Sequence, residues 1–117
     1  MNYSRLHCAD SGAVLVAEAL LPQTFGERAR GLLGRGGLSP QQGMVLLDCR
    51  AIHMFGMRFA IDAVYLDRDW NVVKVVPGLA PWSISACPGA KHVVELAAGA
   101  AGSLGLTQGR RLALCGN

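Results

Sequence analysis

The chain has 117 residues, 51% of them hydrophobic and 16% charged, which suits one soluble globular domain with a core of its own and excludes a disordered tail. Its formal charge of +3 is concentrated in Arg28, Arg30 and Arg35, with a smaller pair at Arg110 and Arg111. That is too mild for a nucleic-acid arm, which rests on several phosphate contacts, and no aromatic-basic platform accompanies it, so nucleic acid is disfavoured as a partner.

In chain order, the first ten residues hold no basic region leading into an apolar core, so no secretion signal is expected and a cytoplasmic address is favoured. Residues 13–20, bounded by Ser11-Gly12 and Pro22, alternate as a strand. Thr24 and Glu27 make a capping box, Phe25, Ala29 and Leu33 share a helical face, and Gly34, Gly36 and Gly37 supply a stop, so a short helix is predicted over 24–34. A second strand is predicted over 44–49, after the Pro40–Gly43 break.

Residues 61–66 and 72–76 flank Asp67-Arg68-Asp69-Trp70-Asn71, a polar stretch that favours a turn, and together they predict a hairpin. Residues 77–91 carry three prolines and two glycines with little periodicity and predict a long loop of the kind that is packed down or functional. Strands follow over 92–97 and 110–115, with a weaker helical turn in 98–104. The sum is a mostly β single domain over 1–117: an antiparallel barrel-like or sandwich fold with one short helix near 24–34. No apolar run approaches the roughly 18 residues of a membrane span.

Chemistry-bearing residues recur at three places. Charged groups inside an apolar run must be paired or wet, and Arg28 with Arg35, His53 with Asp62, and Glu95 therefore suggest one polar site in which an arginine holds a carboxylate. Asp62 or Glu95 could act as a base with His53 as its acid-base partner, but either carboxylate could equally anchor an arginine or backbone amides. The glycines after 30 sit at the C-terminal end of the predicted helix, where they read as a stop and not as a phosphate loop. Cys8, Cys49, Cys87 and Cys115 form no Cys-x-x-Cys pair, and the histidines no metal-binding spacing, so reduced thiols, no metal and no cofactor are expected. Met57, Arg58 and Trp82 are the candidate ligand contacts: adaptable sulfur, charge and a flat indole.

The ordered set Arg28-x-Arg30-Gly31-Leu32-Leu33-Gly34-Arg35, Gly43-Met44, Phe55-Gly56-Met57-Arg58-Phe59-x-Ile61-Asp62-x-x-Tyr65-Leu66-Asp67, Val94-Glu95-Leu96-x-x-Gly99 and Gly109 resembles the family called domain of unknown function 192. The resemblance spans nearly the whole chain. It implies a small, mostly antiparallel, barrel-like β domain of prokaryotic origin and no established activity. Many relatives read tryptophan-methionine-lysine-asparagine-threonine where this chain has Phe55 to Phe59, so no role is carried over for that asparagine or threonine.

Two functions are consistent with these residues. The leading one is a non-catalytic module that binds a small molecule or protein where segment 52–62 meets loop 77–91. The alternative is a small hydrolase or lyase working through Asp62 or Glu95 with His53. The sequence leaves the ligand and the oligomeric state open.

Overall fold

The computed structural model describes residues 2–24, 27 and 31–115. Among the described residues nine strands run in the order β1 (Asn2–Cys8), β2 (Val14–Leu21), β3 (Gln42–Leu46), β4 (Ala51–His53), β5 (Ile61–Leu66), β6 (Val72–Leu79), β7 (Ile84–Ala86), β8 (His92–Ala97) and β9 (Leu112–Cys115). One helical turn, α1 (Ala100–Ser103), precedes β9. Of the helix expected over 24–34, residues 25, 26 and 28–30 lie outside the described residues and 31–34 form turns, and the weaker turn read in 98–104 is α1.

Seven strands form one sheet in the order β6-β5-β8-β3-β2-β1-β9, and β4 with β7 form a second, two-stranded sheet. The large sheet is mixed: β2 and β3 pair in parallel and every other neighbouring pair is antiparallel. Its outer strands touch at one end, where Asn71 bridges Arg111 and Leu112 N–H donates to the Trp70 carbonyl at 2.9 Å. They form no ladder there, so the sheet is open, and of the two expected arrangements, barrel-like or sandwich, the fold is consistent with the sandwich.

The β5–β6 hairpin forms where the turn residues place it. Asp67 Oδ1 accepts the backbone N–H groups of Asp69 and Asn71 at 2.9 Å each, the local bonding for which aspartate is favoured in turns. At the other end of the hairpin Ile61 pairs with Leu79 and Ala63 with Val76, so Pro77 and Gly78 oppose the single residue Asp62. This is a bulge on an outer strand, which accommodates a proline without losing a ladder bond and gives Gly78 its φ of 60°. Strand β6 therefore runs through Pro77 to Leu79, and β7 occupies the middle of the stretch expected to be a plain loop.

Alternation along the central strands divides the core. Val94 and Leu96 of β8, Val64 and Leu66 of β5 and Val45 of β3 pack on one face with Ala100, Ala101 and Leu106. Val93, Ala63, Tyr65, Met44 and Leu46 pack on the other, covered by Leu32, Ile52, Met54 and Met57. The small sheet is tied to this second face by the Tyr65 hydroxyl, 2.8 Å from Ser85 Oγ.

Gly43 lets β3 approach β8 closely: a Cβ there would lie 2.9 Å from Leu96 Cδ2 and 3.0 Å from the Glu95 carbonyl oxygen. Gly43→Ala is expected to lower stability by about 1–3 kcal/mol, the usual effect of overpacking, as read by urea denaturation.

Candidate functional site

The register of the central strands decides which polar residues can meet. Ala63 and Met44 both pair with Glu95, whereas Asp62 pairs with Leu96. Directly opposed residues project to the same side of a sheet and successive residues to opposite sides. Glu95 therefore belongs to the face of Met44 and Ala63, and Asp62 to the other. The single polar site expected from the sequence is two separate places.

Asp62 is fully buried and structurally engaged. Its Oδ1 accepts the N–H of Gly78 in the β6 bulge and its Oδ2 the N–H of Ala101 in α1, both at 2.9 Å. One carboxylate thus holds the bulge and the helical turn against the sheet. No ion pair joins Arg35 to Asp62 or Glu95 among the described residues, and Arg28 lies outside them, so the arginine clamp expected from the sequence has no counterpart in Arg35. The exposed Asp48 carboxylate instead pairs with Lys91 at 2.6 Å.

Glu95 is the contrasting case. It is 8% exposed, and among the described residues no hydrogen bond or ion pair reaches its carboxyl group. Burial pushes its pKa up to about 7, because a low-dielectric surrounding disfavours the charged form. The group lines a cavity of about 180 Å³ whose walls include Leu32, Met44, Leu46, Ile52, Met54 and Met57, with Cys49, His53 and Phe55 also lining it. Its lining combines one carboxyl group with thioethers and aliphatic carbon, the Cys49 thiol and the rings of His53 and Phe55.

An aromatic ridge stands beside this cavity. The His53 ring stacks on Phe55 with centroids 4.8 Å apart, and Phe55 stacks on Trp82 at 6.1 Å. Phe55, Trp82 and Ile84 are 48%, 68% and 70% exposed. Trp82 has a φ of 68°, uncommon for a residue with a side chain. It is held there by bonds on both sides, Trp82 N–H to the Met54 carbonyl and Met54 N–H to the Ser83 carbonyl, each 2.8 Å. The fold thus maintains a strained backbone that presents an indole to solvent. Trp82→Gly is expected to raise stability by about 1 kcal/mol by relieving that strain, and thermal unfolding would show it as a higher Tm.

Of the residues singled out in the sequence, the structure brings Glu95, His53 and Met57 to one cavity and links Trp82 to it through Phe55. Arg58 is exposed and does not line the cavity, and neither Arg35 nor Asp62 does. Met44, Leu46 and Cys49 were missed as cavity residues; their only sequence signal was membership of an apolar strand. No disulfide joins the four cysteines to one another. Among the described residues, no three His, Cys, Asp or Glu side chains are placed to hold a metal ion, and no helix is long and apolar enough to cross a membrane.

The fold and site define a class: an open, mostly β domain with a carboxyl-bearing, methionine-walled cavity on one face of its main sheet. The family model of domain of unknown function 192, described as an uncharacterised ACR, matches residues 7–114. The chain belongs to that family. Two solved structures share the fold. One is a protein of unknown function from Novosphingobium aromaticivorans DSM 12444, 22% identical with a TM-score of 0.79, the alignment covering 93% of this chain and 83% of that one. The other, from Sinorhizobium meliloti 1021, is provisionally assigned as a transcription regulator; it is 24% identical with a TM-score of 0.80 and covers 97% and 96% of the two chains. Among curated proteins nothing matches.

Proposed function

We propose that the protein is a binding module of the bacterial cytoplasm that seats a compact ligand group in the Glu95 cavity, with the Phe55–Trp82 ridge beside it. The observation that carries this reading is Glu95 itself, 8% exposed and, among the described residues, without a hydrogen-bond or ion-pair partner for its carboxyl group. A buried ionisable group left unpaired opposes folding, and one that opens into a cavity is available to a ligand. Four cysteines without a disulfide suit a reducing compartment. The transcriptional assignment of the Sinorhizobium protein is not carried over, because that likeness concerns the fold and the charge of +3 is mild for a DNA contact.

Acid-base catalysis draws on the same carboxyl group, since a pKa of about 7 suits proton transfer near neutral pH. It also requires a second group within hydrogen-bond reach of the reacting atoms. His53 lines the same cavity, but no hydrogen bond joins it to Glu95; its Nδ1 accepts the Phe55 N–H at 3.4 Å. Binding is therefore the reading we adopt.

The test is amide chemical-shift mapping with a set of compact fragments, neutral and charged, on the labelled protein. Binders should move the signals of Met44, His53, Phe55, Met57 and Glu95. Shifts confined to the hollow between Trp70 and Arg111, or none with any fragment, would overturn the proposal.

A further inference from the structure

We infer that the natural occupant of the Glu95 cavity is a lysine side chain on a segment of a partner protein, whose neighbouring apolar residues lie against the Phe55–Trp82–Ile84 ridge. This rests on the binding reading above and adds the chemistry of the ligand. The first argument is charge. An unpartnered carboxylate at a largely buried position repels anions and is satisfied by a cation, and the charge-assisted hydrogen bond so formed is about twice as strong as a neutral one. The second is shape. About 180 Å³ falls below the roughly 300–1,000 Å³ typical of small-molecule sites and suits a single inserted side chain. Lysine carries a compact charge on an unbranched apolar stem, and thioether and aliphatic walls such as Met44, Met54 and Met57 can receive that stem. A single carboxylate accepts two of arginine's five N–H donors and leaves three to be met by a wall rich in thioether and aliphatic carbon, whereas lysine brings three donors in all.

The third argument is what surrounds the opening. A second, largely apolar hollow is lined by Ile84 and Ala86 of β7 and shares Ala51, Ile52, His53 and Phe55 with the cavity. A free amine would leave that hollow and the exposed ridge uncovered, whereas a polypeptide that delivers its lysine to Glu95 buries both. Exposed apolar residues grouped in this way mark interaction surfaces, and the constrained backbone at Trp82 holds its ring in place with little further loss of freedom on binding.

The experiment titrates the labelled protein with acetyl-Leu-Lys-Leu-amide, with the same peptide carrying norleucine in place of lysine, and with n-butylamine. The lysine peptide should shift the amides of Glu95, Met44 and Phe55 and bind at least about tenfold more tightly than the norleucine peptide, as expected when one hydrogen bond to a charged group is lost. Glu95→Gln should abolish that preference. Trp82→Ala, checked for folding by its amide dispersion, should weaken the peptide and leave butylamine unchanged. Equal binding of the norleucine peptide, or a preference that survives Glu95→Gln, would overturn the charge assignment. Butylamine binding as tightly as the peptide, with no effect of Trp82→Ala, would overturn the protein partner in favour of a free amine. If neutral fragments occupy the cavity and neither lysine peptide nor amine does, the inference falls and the binding reading stands. If no probe of any kind binds, both fall.

Discussion

Glu95→Gln is expected to make the protein more stable above pH 7 and to flatten its stability between about pH 4.5 and 7. Burial raises the folded-state pKa of Glu95 from 4.5 to about 7, so within that window the folded protein holds a proton that the unfolded chain has released. Stability therefore falls as pH rises through the window. Below it the carboxyl group is protonated in both states and no penalty applies; above it the full penalty applies. At roughly 1.4 kcal/mol per pKa unit the penalty amounts to about 3–4 kcal/mol. Urea denaturation of wild type and variant across pH 4 to 8 reads the difference directly, because every other ionisable group is common to both proteins. Parallel curves would show that the folded protein does not hold Glu95 in the unfavourable state inferred for it. A stabilised variant that also loses its ligand would be a residue kept for binding at the expense of stability.

Asp62→Ala is expected to do the opposite, lowering stability by about 3–5 kcal/mol. Two hydrogen bonds to a charged group are lost, and the Gly78 and Ala101 N–H groups are left without their acceptor. Asp62→Asn retains one acceptor oxygen and should lose about half as much. Hydrogen exchange provides the local readout: in the alanine variant, amides of α1 and of the β6 bulge should lose protection before the rest of the sheet does. A variant with wild-type stability would remove Asp62 from the structural role assigned to it. The two acids thus predict opposite signs, a contrast that no inspection of strand composition supplies.

Much of the scaffold is nonetheless legible in local pattern. β8 was read with its observed limits, and the hairpin of β5 and β6 follows from alternating residues around a turn whose aspartate bonds its own backbone. Other elements were beyond reach. β4 and β7 have three residues each, too few for a period to register, and β7 lies between prolines in a stretch whose composition favours a loop. Strand β1 is not among the predicted strands, and the parallel pairing of β2 with β3 depends on contacts that local alternation does not encode.

The residues alone established a mostly β domain, the family and the presence of two acids in apolar strands that required an explanation. Which acid is structural and which faces a cavity was decided by tertiary structure. Glu95 pairs with Ala63 and Asp62 with Leu96, and a shift of one residue in that register would exchange their faces, because side chains alternate strictly along a strand. The pairing is set by packing of both faces of the sheet at once, between segments some thirty residues apart in sequence. The same is true of the cavity: its methionines come from β3 and from the loop after β4, and only the folded sheet places them around one carboxyl group.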